Sequence, residues 1–100
     1  MSKVNQRLAK EARKLAMECV ESTAPRFGTR FCGNRADPIC AMGHLISRAG
    51  LEPYPVYYGI GHGDKWLVIE ANDRAKDHAD RNSRLVFPLL AFADELEKLP

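Results

Sequence analysis

The chain has 100 residues with 45% hydrophobic and 28% charged side chains, a composition that excludes a disordered polypeptide and predicts one domain, 1–100, with one modest core. A net charge of +2 is too small to argue for nucleic-acid binding by itself, and no apolar run approaches the ~20 residues of a membrane span. The charge is uneven: residues 1–50 hold nine Lys/Arg against four Asp/Glu, and residues 51–100 hold six against nine. Halves of +5 and −3 can attract each other in the fold or leave two electrostatic poles.

Residues 3–22 predict an amphipathic helix. Val4, Leu8, Ala12, Leu15 and Cys19 recur at steps of three and four and form one apolar stripe, with Lys3, Arg7, Lys10 and Lys14 falling on other faces. Ser2 is placed to cap the start and Pro25 to close the end. Cys19 lies in the stripe and reads as a small buried hydrophobe. The charged opening, MSKVNQRLAKEARK, has no apolar h-region, so reduced thiols in a cytoplasm are the expectation for Cys19, Cys32 and Cys40.

The stretch PRFGTRFCGNRADP follows. Phe27, Thr29 and Phe31 alternate with Arg26, Gly28 and Arg30, the period of a short strand or hairpin near residues 26–33. Arg26, Phe27, Arg30, Phe31 and Arg35 form a candidate binding surface for nucleic acid or an anionic partner. The plainer reading puts both phenylalanines in the core and the arginines in water.

A second helix is expected over 38–49. Asp37 is a good N-cap, Pro38 suits the first helical position, and Gly50 suits the C-terminal stop. Ile39, Met42, Leu45, Ile46 and Ala49 share its apolar face, and Cys40, Gly43 and Ser47 make a second face of small residues that permits close packing. Residues 51–63 read as a Pro/Gly-rich connector. DKWLVIEAND, 64–73, fits either a buried strand or a short helix ending at Asn72. The charged run 73–84 predicts a solvated turn or frayed helix. A last helix is expected to start near Val86 or Phe87, with Pro88 in its first turn, Leu85, Leu89, Ala93 and Leu96 inward, and Asp94, Glu95 and Glu97 on an acidic outer face.

Three chemistries deserve weighing. Cys40 and His44 stand at i, i+4 and could share a zinc with Cys32 and either His62 or Asp37, but no Cys-x2-Cys pair is present and the spacing fits no common zinc pattern. Cys40 near a helix start, with His44 as base and Asn72 or Asp73 to orient it, suggests a Cys–His hydrolase; a base one turn later on the same helix is awkward for attack on a substrate. Gly59, Gly61 and Gly63 match no phosphate-loop fingerprint, and His62 and His78 sit in polar, solvated stretches. No metal, cofactor or catalytic residue is therefore assigned.

CAMGHL at 40–45 and EANDR at 70–74, followed by a closing amphipathic helix, resemble a group of small uncharacterised proteins of bacteriophages and actinobacteria. Their pattern is Cys-Ala-x-Gly on a central helix and Asn-Asp at the end of the next. The resemblance spans about 31–97 and carries over Cys40, Gly43, Asn72 and Asp73; His44 and Ile39 depart from it. It implies a mainly helical fold, hence a helix at 64–71, and a bacterial or phage setting. The four shared residues read physically as packing and capping groups.

The expectation is a mainly α domain of three to four helices. Its expected function is non-catalytic binding of a host protein as an inhibitor or takeover factor, with nucleic-acid binding through 26–35 as the alternative.

Overall fold

The computed structural model describes residues 3–28, 40–51 and 64–98, which form four helices: α1 (Lys3–Val20), α2 (Ala41–Arg48), α3 (Asp64–Asp73) and α4 (His78–Lys98). The fold is mainly α, as expected. α1 packs chiefly along α4, α3 lies against α4, and the short α2 touches both α1 and α3. No described helix is long and apolar enough to cross a membrane.

The α1–α4 contact follows from two matched stripes. Leu8, Ala12, Leu15 and Cys19 are buried on α1 with Ala9 and Ala16 beside them, and three alanines let the helices approach closely. Leu85, Leu89, Phe92, Ala93 and Leu96 face them from α4. Val4 lies at the margin, 36% exposed, rather than in the core. The attraction between the unlike halves of the chain has a local form here. Arg13 of α1 donates to Asp94 at 2.7 Å and to Glu97 at 3.0 Å, so the acidic face of the last helix is partly engaged within the molecule.

Helix ends are closed by backbone geometry. After α1 the N–H of Thr23 returns to the Glu18 carbonyl and that of Ser22 to Cys19, with Ser22 at φ 60°. This is a Schellman stop with serine in the place usually taken by glycine, so the helix ends before Pro25 is reached. α2 ends in the same motif on the expected residue: Gly50 has φ 74°, Leu51 N–H bonds the Ile46 carbonyl, and Gly50 N–H bonds that of Ser47.

Three sequence expectations need correction. The second helix starts at Ala41 and not at Pro38; Cys40 is its N-cap, in extended conformation at φ −71°, ψ 170°, and makes no side-chain capping bond. Asp37 and Pro38 lie outside the described residues. The last helix starts at His78, eight or more residues before Val86, and carries Pro88 in its interior. Asp77 caps it by accepting the Asp80 N–H at 2.8 Å, while Asp80 accepts the Lys76 N–H and the Arg84 guanidinium, which together hold its carboxyl below the usual range. Pro88 leaves the Arg84 carbonyl without a helical partner. Leu85, Leu89 and Phe92 keep the helix seated on both sides of the proline. Finally, residues 23–28 are neither helix nor strand, and the remainder of the expected strand at 26–33 lies outside the described residues.

Candidate functional site

Asn72 joins three segments of the chain through its side chain. It is fully buried near the end of α3. Its Oδ1 accepts the backbone N–H of Ala41 at 3.0 Å, so the first N–H of α2 is capped by a residue from another helix. Its Nδ2 donates to the Gly28 carbonyl at 2.7 Å and to Asp73 Oδ1 at 3.2 Å. Both amide hydrogens thus meet acceptors and the oxygen meets a donor, which fixes the orientation of the amide. Arg81 of α4 completes the junction, with Nε donating to the Asn72 carbonyl at 2.8 Å and Nη1 to the Phe27 carbonyl at 3.3 Å. Asn72, Asp73 and Arg81 therefore fasten the 24–28 segment, α2, α3 and α4 to one another. Of the Asn-Asp motif only Asn72 caps, and it caps a helix remote in sequence; Asp73 is the last residue of α3 and accepts from Asn72, so the pair is not the expected helix stop followed by an N-cap.

A second junction joins α1 to α2. Arg48 makes a two-pronged pair with Glu18, both bonds 2.6 Å, and also donates from Nε to His44 Nε2 at 3.0 Å. The Phe27 ring meets His44 edge-on, with centroids 5.5 Å apart. A histidine nitrogen that accepts from a guanidinium is unprotonated. Burial, and then the Arg48 charge, hold the His44 pKa below its usual value, against weaker opposition from Glu18 and Glu11. Arg48 in turn lowers the Glu18 carboxyl.

These groups give a pH prediction. Because His44 binds its proton less readily folded than unfolded, its contribution is fully present above about pH 6.5. It declines as pH falls from there through the lowered folded value. The Glu18 contribution is present above its unfolded value and is lost only as pH falls through its depressed one. The urea midpoint should therefore drop in two stages on acidification. In His44→Gln, which can still accept from Arg48 but does not titrate, the first stage, which sets in as pH falls below about 6.5, should flatten. Parallel curves for both proteins across that range would contradict this assignment.

The two thiols among the described residues are sequestered. Cys40 is buried behind α2, and Cys19 is buried in α1 with its pKa pushed up to about 11 by burial. His44 commits Nε2 to Arg48, so the suggested nucleophile–base pair has an inaccessible sulfur and an occupied nitrogen. Gly43 is buried beside Cys40, whereas Ser47 is exposed, so the small-residue face narrows to the first turn of α2. No cluster of three or more metal-ligating side chains occurs among the described residues. Cys32, Asp37 and His62 lie outside them. His78 is only half-buried and its Nδ1, like Oδ1 of the buried Asn82, has no hydrogen-bond partner among the described residues.

Of the arginine–phenylalanine stretch, Arg26 is exposed and Phe27 is buried at 5% exposure, with its ring against His44. Arg30, Phe31 and Arg35 fall outside the described residues. A different surface emerges between α3 and α4. Leu67, Glu70 and Ala71 on α3, with Arg74 just beyond its end, line a groove of about 370 Å³. Arg84, Phe87, Pro88 and Ala91 line it from α4. Phe87 is 79% exposed, Leu67 47% and the adjacent Trp66 52%. The signal was present in the sequence: 67, 70, 71, 74 and 84, 87, 88, 91 are each i, i+3, i+4, i+7 series. It was obscured because WLVI and LVF read as core.

Comparisons with protein-family models, with curated proteins and with solved structures give no match for this chain.

Proposed function

We propose that this is a non-catalytic protein-binding domain that modulates a host protein, in the phage or bacterial setting implied by the Cys40-Ala41-x-Gly43 and Asn72-Asp73 motifs. One observation carries the reading: Leu67 and Phe87, two large apolar side chains, line the groove between two adjacent helices while largely exposed, with the half-exposed Trp66 next to Leu67 in the chain. Exposed apolar groups gathered around a groove mark an interaction surface, whereas scattered ones mean little. The polar side chains that sequence offered as chemistry, Cys40, His44 and Asn72, act instead as packing and capping groups. The test is capture of partners from bacterial lysate on the tagged full chain, with and without nuclease. One dominant protein that survives nuclease is the expected result.

A second reading is supported by α1. Lys3, Arg7, Lys10 and Lys14 are exposed and repeat at helical steps, making a basic ridge of about 16 Å. With the exposed Arg26 it suits a phosphate backbone. Binding of that kind should weaken steeply with salt, with a logarithmic slope of up to about 4 for the four α1 charges. Captured material that vanishes with nuclease would favour it over protein binding.

A further inference from the structure

We propose that the exposed face of α1 docks on the phosphate backbone of double-stranded DNA without reading its sequence. The inference rests on the phosphate-binding reading of α1 and names its partner. The contacts are Lys3, Arg7, Lys10 and Lys14, which stand at steps of four, three and four on the side of α1 away from the core.

Charge on this face is uncompensated. Arg13, Arg48, Arg74 and Arg84 each have a carboxylate partner, whereas none of the four ridge cations has one among the described residues. α1 itself carries two carboxylates. Glu18 gives both oxygens to Arg48, and Glu11 stands at the margin of the ridge, partly buried. The placement also runs against helix electrostatics. The first turn of α1 has no acidic residue and begins with Lys3, so a cation stands at the positive end of the helix dipole, where it costs helix stability. An external polyanion turns that cost into attraction, because dipole and side chains then act on it with one sign.

Chemistry narrows the polyanion. An anionic membrane takes up a basic helix by burying its apolar face, and that face of α1 is already packed against α4. Protein interfaces are depleted in lysine and need a desolvated apolar centre, yet three of the four ridge positions are lysine. Single strands are held by aromatic side chains on which bases stack, and α1 contains no aromatic residue. Duplex RNA is recognised over about 16 base pairs, across two successive minor grooves. The ridge spans about 16 Å, or roughly five base pairs. Duplex DNA asks for less: a short line of cations along its phosphates releases counterions and binds with no base contact.

The experiment follows the fluorescence anisotropy of a dye-labelled DNA duplex of about 20 base pairs, roughly four times the ridge in length. The full chain is titrated into it over a series of salt concentrations. Affinity should fall with a logarithmic slope of about 3–4, roughly a hundredfold between about 50 and about 200 mM salt, and alike for two unrelated sequences. The matching single strand and an RNA duplex should bind at least about tenfold more weakly. Lys10→Gln/Lys14→Gln should lower the slope by about two. Lys76→Gln/Lys98→Gln removes the same charge from exposed sites elsewhere and should leave the slope unchanged. Glutamine is a good helix former, so both variants should fold, which circular dichroism verifies. Single-stranded DNA or duplex RNA bound as tightly as duplex DNA would overturn the proposal. So would a chain that ignores the duplex and sediments with phosphatidylserine vesicles. Two failures stay apart. Nucleic acid bound with one slope by wild type and Lys10→Gln/Lys14→Gln sinks the ridge alone; no nucleic acid bound at low salt sinks the phosphate-binding reading itself.

Discussion

Phe92→Ala should destabilise the protein by about 3–5 kcal/mol, the range for removing a fully enclosed aromatic side chain. Phe92 is 2% exposed and is the largest of the enclosed side chains on α4, between Leu85 and Leu89 on one side and Leu96 on the other. Truncation would remove its apolar area from the α1–α4 contact and leave a void that rigid helices fill only in part. A domain of this size typically holds only about 5–15 kcal/mol in all, so the variant should stand near its unfolding threshold. Phe87→Ala offers a control five residues away on the same helix. Phe87 is 79% exposed, and its loss should change stability by no more than about 0.5 kcal/mol. Urea denaturation of the two variants tests the contrast. Similar losses from both would mean that Phe87 is covered in the folded protein, and the groove would cease to be a free surface.

The same two residues show how far sequence could be read. Helical spacing placed Leu85, Leu89, Ala93 and Leu96 together, and the structure buries all four. Periodicity succeeds there because burial of a stripe is decided by the helix itself. It failed at Phe87 and at the start of α4 because the rule against interior proline is local. A two-sided tertiary contact can carry a helix through Pro88 at the cost of one helical hydrogen bond. The end of α2 was legible at Gly50 because a left-handed stop depends on one residue. Its beginning was not. The cap expected of Asp37 is supplied to Ala41 by Asn72, across 31 residues, and no local pattern encodes such a bond. The Glu18–Arg48–His44 junction was hidden for the same reason: each residue looked like an ordinary surface charge or a helix-edge imidazole until the helices met.

Asn72→Ala is expected to cost about 2–4 kcal/mol, because it strands the Ala41 N–H and the Gly28 carbonyl, and each buried unpaired group costs about 1–3 kcal/mol before relaxation. The loss of volume is small, so the effect would report the hydrogen bonds. Asn72→Asp provides the sharper test. It keeps the shape and keeps an acceptor at the start of α2, where the helix dipole favours negative charge. Yet it sets a carboxylate against the Gly28 carbonyl and Asp73, the two acceptors that Nδ2 now serves. At neutral pH it should therefore destabilise nearly as much as Ala. Surrounded by acceptors, the new carboxyl should have a folded pKa above its unfolded one. Its penalty relative to wild type is then full at high pH and is relieved as pH falls through that raised value, where the protonated acid can donate again. Amide exchange locates the effect: Ala41 N–H should exchange faster in Asn72→Ala and remain protected in Asn72→Asp. Unchanged protection of Ala41 in the alanine variant, or a stability loss under about 1 kcal/mol, would remove Asn72 from its place as the clamp of the fold. If the clamp holds, the Asn-Asp motif is explained by folding alone, and the search for function moves to the exposed face of α3 and α4.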